Sequence, residues 1–186
     1  MFGKTLDHAQ KFPLDFIEPG VSILILGGGS GELLSTLLQK HPAVSVDYID
    51  LSPKMIELAR RKTGNPSSVN FITGTDQNIP DRNYNVVITN FYLDLFSDKR
   101  LKEIIDIIKP RLADNVIWLA TDFISEKTWH RIFLKIMYVF FKVVTGIEAN
   151  SLPDWQFALS HAGFREVKSK NFYGGFIKSS VYKRVI

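Results

Sequence analysis

The sequence predicts an α/β fold, a doubly wound and mostly parallel sheet with helices on both faces. Segments typical of strands and of helices alternate five times before the chain closes with a helix and a hairpin, and such alternation is typical of parallel sheets with helical crossovers. The first strand candidate, Ile23–Leu26, is apolar at every position, as expected of a strand buried on both faces. With 186 residues, the chain is most simply one domain over residues 1–186.

Composition narrows the class of protein. The chain has 23 Lys and Arg against 19 Asp and Glu, a net charge of +4, and its lack of cysteine excludes disulfides and thiolate metal sites. Met1–Phe12 lacks the pattern of a signal peptide, and no apolar run approaches the ~18 residues of a membrane span, so we expect a cytoplasmic protein. Arg165–Arg184 holds six basic residues against Glu166. We interpret this bias as a solvated sheet edge, although it would also suit an anionic partner.

The chain is organised around Ile23–Gly31, which reads as strand, glycine turn and helix start. Glycine lets the chain reverse tightly and lets a ligand lie against bare backbone, and the free N–H groups that open the helix point at that ligand. The alternate glycines are Gly27, Gly29 and Gly31. The dinucleotide fingerprint G-x-G-x-x-G would need a third glycine where Glu32 or Leu34 stands, so we predict that NAD does not bind.

An acidic residue ends the second strand candidate. Ala43–Ile49 reads as a strand and runs into Asp50, with Ser52 and Pro53 as the N-cap and first position of the next helix. A carboxylate at the end of a strand can accept hydrogen bonds from both hydroxyls of a ribose. We therefore expect Asp50 to bind a nucleoside.

The other elements are predicted from periodicity, capping residues and turn residues. They are a helix over Leu6–Phe16 broken near Pro13, a helix over Glu32–Gln39, strands over Val69–Thr73, Asn85–Asn90 and Asp114–Ala120, helices over Asp98–Ile108 and Glu126–Thr145, a helix from a Ser151-x-x-Asp154 capping box to Ala162, and a hairpin of Phe164–Phe172 and Phe176–Lys183. The helix over Glu126–Thr145 is broadly apolar with a row of basic residues. Such a helix can lie on a membrane surface, but we interpret it first as a cover for the sheet or for a pocket.

The glycine pattern G-x-G-x-G, followed in order by Asp50 and by Asp76 in the loop after strand three, resembles the class I S-adenosylmethionine-dependent methyltransferases. The resemblance covers nearly the whole chain from Val21. It implies a seven-stranded sheet in the order 3-2-1-4-5-7-6 with strand 7 antiparallel, an abbreviated N-terminal cap over residues 1–20, and S-adenosylmethionine as the cofactor, whose adenine amino group Asp76 receives. The cofactor-binding residues that it implies are Gly27, Gly28, Gly29, Gly31, Asp50, Leu51, Asp76, Gln77 and Asn90.

One position departs from the family pattern. The family usually has Asp or Glu two residues before the first glycine, where the carboxylate helps to anchor the methionine amino group, and this chain has Ile25 there. Glu32 or a backbone carbonyl could compensate. The departure keeps open a non-catalytic protein that binds S-adenosylmethionine.

The loop Asn90–Phe96 after strand four faces the transferred methyl group in the family. A carbon or oxygen acceptor must lose a proton, and Asp94 is the first candidate for the base, with Tyr92 as the second catalytic candidate. No spacing of His, Asp and Glu suggests a metal site.

The methyl acceptor is expected to be an apolar small molecule. The end of the chain is loosely similar to the quinone-biosynthesis C-methyltransferases, and aromatic side chains should line a pocket between the Asn90–Phe96 loop and the Trp129–Val144 helix. The alternative is an RNA or protein-amine methyltransferase, because Asn90-Phe91-Tyr92 is similar to the Asn-Pro-Pro-Tyr loop that binds a target amine. Both prolines are missing and no RNA-binding motif stands out, so nucleic acid is not the expected partner.

Overall fold

A computed structural model describes residues 2–124 and 153–185. Its centre is a seven-stranded sheet in the order β3-β2-β1-β4-β5-β7-β6. The first five strands pair in parallel, and β7 pairs antiparallel with both β5 and β6. The strands are β1 (Ser22–Leu26), β2 (Ser45–Asp50), β3 (Val69–Thr73), β4 (Tyr84–Asn90), β5 (Leu112–Phe123), β6 (Phe164–Phe172) and β7 (Ile177–Arg184).

The described helices cover both faces of this sheet. They are α1 (Phe2–Lys11), α2 (Glu32–Lys40), α3 (Pro53–Thr63), α4 (Asp98–Ile108) and α5 (Trp155–His161). Ser52, Ser97 and Asp154 act as N-caps, because each side chain accepts a hydrogen bond from a backbone N–H in the first turn of its helix. Within the described residues, no helix is long and apolar enough to cross a bilayer.

Two apolar layers hold the helices against the sheet. Alternate residues of β1 point to opposite faces, so Leu24 and Leu26 pack with α4 and α5, whereas Ile23 and Ile25 pack with α2 and α3. All four side chains are buried. A strand that is apolar on both faces is therefore the physical requirement of a sheet covered on both sides.

The sheet order and the antiparallel β7 confirm the predicted fold. The predicted break near Pro13 is also present, since α1 ends at Lys11 and a 3-10 turn follows over Phe12–Phe16. Strand β5 is longer than predicted, because Thr121, Asp122 and Phe123 continue its pairing with β7. The helix before β6 begins after Asp154; the predicted Glu126–Thr145 helix and Ser151 lie outside the described residues.

Candidate active site at the carboxyl edge of the sheet

The glycine turn after β1 is shaped by close contacts with its neighbours. A methyl group built at Gly28 would lie 2.2 Å from the Tyr48 ring, and one at Gly31 would lie 2.7 Å from the Cα of Ala59 in α3. Gly31 also has a φ of 86°, a left-handed conformation that side chains disfavour. Gly29 differs, because a methyl group there would meet nothing within 4 Å. The turn is therefore tightly packed at Gly28 and Gly31 and open at Gly29.

Asp50 joins the glycine turn to the end of β2. Its Oδ2 accepts a hydrogen bond of 2.7 Å from the Gly29 N–H, and its Oδ1 accepts one of 2.9 Å from the Ser52 N–H. The Tyr48 hydroxyl donates to the Gly29 carbonyl at 3.0 Å. Because each carboxylate oxygen can accept a second hydrogen bond, Asp50 retains capacity for two hydroxyl donors. The next residue, Leu51, is 73% exposed.

Asp76 lies in the loop after β3 and is buried. Its Oδ1 accepts a 2.6 Å hydrogen bond from Nη2 of Arg100, which belongs to α4, and its Oδ2 accepts one of 3.2 Å from the Gln77 side-chain amide. Thr75 caps this turn by accepting from the Gln77 backbone N–H. The ion pair ties the predicted adenine loop to α4.

Tyr92 covers the glycine turn from the side of β4. Its Cδ2 would lie 2.6 Å from a methyl group built at Gly27, and its ring packs edge-on against Phe96, 4.9 Å between ring centres. Burial raises the pKa of the Tyr92 hydroxyl, and the negative charge of Asp76 adds to this effect. A phenol with a raised pKa stays protonated at neutral pH, so Tyr92 is suited to donate a hydrogen bond.

Asp94 turns into the protein, next to Asp122 at the end of β5. Asp94 is 1% exposed and Asp122 is fully buried. Asp122 Oδ2 accepts hydrogen bonds from the backbone N–H groups of Leu93 and Asp94, at 3.0 and 3.2 Å. Burial raises the pKa of Asp94 to about 6, and burial together with the charge of Asp94 raises the pKa of Asp122. The two carboxyls therefore hold a proton between them and fasten the loop to β5.

The end of β4 carries polar and apolar groups on the face covered by α1. Both polar atoms of the Asn90 side chain are buried and have no hydrogen-bond partner among the described residues. Phe91 has a left-handed φ of 51°, which is costly for an aromatic residue. Its N–H donates to the Thr121 carbonyl at 2.7 Å and its ring lies 5.0 Å from that of Phe123. The backbone is held in this conformation so that the aromatic ring packs inward beside Asn90.

Ile25, which stands where the family usually has Asp or Glu, is a core residue in this structure. Ile25 is buried in the apolar layer under α2, so the position that is acidic in the family is here part of the core. Glu32 is turned outward to an ion pair with Lys62 of α3. Among the described residues, no group of three His, Cys, Asp or Glu is arranged to hold a metal ion.

The carboxyl edge of the sheet thus brings together most of the predicted site residues. A comparison with protein families agrees with this arrangement: the model of the methyltransferase domain family matches residues 23–115, half of the chain. The chain therefore belongs to that family. This range includes β1 to β4, the glycine turn and the predicted site residues, which places the family pattern on the edge just described. The resemblance to class I S-adenosylmethionine-dependent methyltransferases is confirmed.

Individual relatives share this stretch. The sequence is 30% identical over 107 residues to malonyl-[acyl-carrier protein] O-methyltransferase 1 of Ilyobacter polytropus, a match that covers 52% of this chain and 40% of that relative. It is 34% identical over 92 residues to a demethylmenaquinone methyltransferase of Chlorobaculum tepidum, covering 47% of this chain and 36% of that relative. The chain therefore spans about two fifths of the length of the curated relatives it matches.

Solved structures share the fold over almost the whole chain. Magnesium protoporphyrin IX methyltransferase from Synechocystis PCC 6803, solved with bound SAH, superposes with a TM-score of 0.73 at 19% identity, covering 98% of this chain and 83% of that chain. At this identity the likeness shows the fold alone.

Two residues of the site were not predicted from the sequence. Tyr48 supports the glycine turn from behind, and Arg100 binds Asp76 from a helix 24 positions further along the chain. Tyr48 reads as one more apolar residue of a buried strand. Arg100 reads as one exposed charge of an amphipathic helix, so neither position carries a signal of its own.

Proposed function

We propose that this protein transfers the methyl group of S-adenosylmethionine to an apolar small molecule. The observation that carries the proposal is the hydrogen bond between Asp50 and the backbone of Gly29, which joins the two cofactor motifs of a methyltransferase domain at the carboxyl edge of the sheet. Ligands of open α/β sheets bind at this edge.

The residues around the glycine turn fit the ribose of the cofactor. The two Asp50 oxygens each keep a free acceptor position for a ribose hydroxyl, and the open side of Gly29 leaves room for the nucleoside. The packed side, at Gly28 and Gly31, keeps the turn rigid. The exposed Leu51 offers an apolar surface next to Asp50 for one face of the adenine.

Asp76 and Gln77 are assigned to the adenine. The Asp76 carboxylate accepts from Arg100 and from the Gln77 side chain, and its remaining acceptor positions suit the exocyclic amino group of adenine. Arg100 fixes the orientation of this carboxylate through their ion pair. Arg100 is therefore a positioning residue of the adenine subsite.

Asn90 and the backbone of Gly27 are assigned to the methionine end of the cofactor. Asn90 has unsatisfied polar atoms, which a bound polar group would satisfy. Because Ile25 supplies no carboxylate, the methionine amino group relies on carbonyl oxygens and on the Asn90 side-chain oxygen. We expect weaker binding of the methionine part than of the nucleoside part.

The main catalytic contribution of the protein is to align the acceptor with the methyl group of the cofactor. The cofactor supplies a sulfonium methyl group with a good leaving group, and the protein holds the acceptor in line with it. Tyr92 stays protonated and orients a polar group of the acceptor or cofactor. The role of Asp94 as a base stays a prediction; its inward position favours a positioning role, in which the pair with Asp122 holds the Asn90–Phe96 loop over the site.

The apolar acceptor is assigned to the aromatic residues beside Asn90. Phe91, Phe123 and Phe176 form a cluster at the ends of β4, β5 and β7, with ring centres 5.0 and 4.8 Å apart. A pocket lined by aromatics with few polar groups suits an apolar ligand. The predicted second wall, Trp129–Val144, lies outside the described residues. One relative is named for demethylmenaquinone and another for a malonyl group on acyl-carrier protein.

Calorimetry tests the cofactor part of the proposal. S-adenosylhomocysteine is titrated into the purified protein and into Asp50→Ala, and we expect the variant to bind about 1.5–3 kcal/mol more weakly, the usual value of hydrogen bonds to a charged group. Asp81→Ala removes an exposed acid of the same type from a loop outside the site and should bind as the parent does. Equal affinities for all three would contradict the ribose assignment.

Transfer of a labelled methyl group tests the acceptor. The labelled cofactor is offered with a prenylated hydroquinone, with malonyl-acyl-carrier protein or with total RNA. We expect label in the hydroquinone. Label in malonyl-acyl-carrier protein or in RNA would replace the apolar acceptor with a carrier-bound or nucleic-acid acceptor, and no transfer by a protein that binds the cofactor would support the non-catalytic alternative.

A further inference from the structure

The outer strand β6 carries its positive charges on one face of the sheet. Strand residues that pair directly across an antiparallel ladder point to the same face. Arg165 lies opposite Lys183, Lys168 lies opposite Val181, and Lys170 lies opposite Ser179. Val181 belongs to the apolar layer that packs under α2. These four basic residues, Arg165, Lys168, Lys170 and Lys183, therefore share the face of β6–β7 that is also covered by α1, and we name them the basic face.

A β-bulge creates this arrangement. The pairing of β6 with β7 shifts between Glu166 and Lys168, so Val167 is an extra residue in β6. Without the shift, strict alternation would place Lys168 and Lys170 on the opposite face from Arg165. A bulge redirects the side chains that follow it, and here it brings all the basic residues of β6 to one side.

The acidic residue of β6 lies on the other side. Glu166 pairs across from Tyr182, and its carboxylate binds Lys178 at 2.9 Å and the Ser180 hydroxyl at 2.9 Å. By contrast, Arg165, Lys168, Lys170 and Lys183 are exposed, and none of them forms an ion pair within residues 2–124 and 153–185. The ladder therefore separates a face on which Glu166 pairs with Lys178 from a face whose four basic residues form no ion pair with the described residues.

Apolar side chains lie among these charges. Phe16 and Val167 are 39% and 42% exposed, and both line a cavity of about 490 Å³ together with Lys168 and Lys183. Glu18 and Asp114 also line this cavity, but they belong to the N-terminal segment and to β5. The Lys170 ammonium lies 5.8 Å from the Phe12 ring centre and 5.3 Å from that of Phe172, which is within cation–π range of both rings.

We propose that the basic face docks the protein on an anionic lipid membrane. Exposed lysines and an arginine on one side of the outer strands, with the exposed Phe16 and Val167 beside them, match a surface of anionic headgroups over hydrocarbon. A nucleic acid would need a row of free aromatic rings or a groove that follows phosphates. Here Phe16 is exposed, whereas Phe12 and Phe172 lie under the Lys170 ammonium. The face lies on the outer strands of the sheet, apart from the glycine turn, so docking leaves the cofactor site accessible.

Vesicle binding tests the proposal. Flotation is measured with vesicles of phosphatidylcholine and with vesicles of phosphatidylcholine and phosphatidylglycerol. We expect binding to the second only, weakening as salt increases. Each neutralised lysine should cost about fivefold in partitioning, so the triple variant Lys168→Gln, Lys170→Gln, Lys183→Gln should bind roughly a hundredfold more weakly, and the triple replacement by Glu more weakly still.

A matched variant separates this face from overall charge. Lys54→Glu, Lys99→Glu and Lys102→Glu change the net charge equally at exposed positions of α3 and α4, and this triple should keep most of the binding. Thermal melts check that each variant is folded. If the Glu triple of the basic face does not fold, its Gln triple is compared with the parent protein instead. Equal binding to both vesicle types, no binding to either, or equal losses in the two Glu triples would overturn the proposal. Binding of RNA or of an acidic protein that depends on these lysines, without vesicle binding, would assign the face to that partner instead.

Discussion

The two halves of the carboxyl edge of the sheet are built in different ways. The half formed by β1, β2 and β3 holds its shape with backbone contacts between short motifs, such as the Gly29 N–H on Asp50. The half formed by β4 and β5 holds its loop with buried side chains, above all Asp94 and Asp122. The first half is thus rigid by local geometry, whereas the second depends on the protonation of a buried pair. Under the proposed function, the first half holds the cofactor and the second half holds the acceptor.

The largest effect is expected where the first half is packed most tightly. Gly31→Ala places a methyl group 2.7 Å from the Cα of Ala59 and forces a side chain into a left-handed conformation. We expect a loss of about 2–4 kcal/mol in the free energy of unfolding, because overpacking and backbone strain add. Urea unfolding measures it.

Gly29→Ala is the matched control for that prediction. Gly29 has a similar φ, 70°, but an open side, so only the strain of about 1 kcal/mol should appear. The cofactor, however, should lose affinity, since the methyl group would enter the nucleoside site. If the two variants were equally stable, the contact between the glycine turn and α3 would not be the rigid element that we describe.

The next effect is expected from the buried pair of the second half. The raised pKa of Asp94, about 6, means that the folded state binds a proton more tightly than the unfolded state does. The stability that this proton contributes is present below about pH 4, the usual Asp pKa, and is lost as the pH rises through 6. Asp94→Asn should remove this loss, at most about 3 kcal/mol for a shift of roughly two pKa units, and make the free energy of unfolding flatter between pH 4 and pH 7.

Chemical denaturation at several pH values measures that slope. Asp98→Asn, at the exposed start of α4, is the control and should keep the slope of the parent protein. Equal slopes for the parent protein and Asp94→Asn over this range would show that Asp94 has no raised pKa in the folded state, against the arrangement described above.

The smallest effect is expected at Tyr92. Because burial and the charge of Asp76 raise the pKa of its hydroxyl, Tyr92 is protonated throughout the working range and supplies one hydrogen bond. Tyr92→Phe should cost about 0.5–1.5 kcal/mol in kcat/KM and leave the shape of the pH profile unchanged. Removal of a general base would instead cost about 100- to 10,000-fold and abolish one limb of the profile, so steady-state kinetics over a range of pH distinguishes the two roles.

Local patterns were sufficient to predict the fold and the residues that meet at the glycine turn. The apolar run of β1, the glycine turn, Asp50 and the Ser52 cap are neighbours in the chain or follow one another in a βαβ unit, so their spacing already constrains their geometry. The sheet order was implied by the family resemblance and is confirmed by the pairing. These features depend on local backbone conformation and on the periodicities of strands and helices. Both can be inferred directly from the residue types along the chain.

Only the tertiary structure decided the features that depend on contacts between distant residues. The sequence suggested Asp94 as a base that faces the site, whereas the loop folds back on β5 and places it beside Asp122, 28 positions further along the chain. Arg100 meets Asp76 only because α4 crosses the end of β3. The basic face depends on one extra residue in β6, which reverses the faces of all the side chains that follow it. Desolvation, ion pairing and strand register are set by what packs against a residue, and the order of residues along the chain carries little of that information.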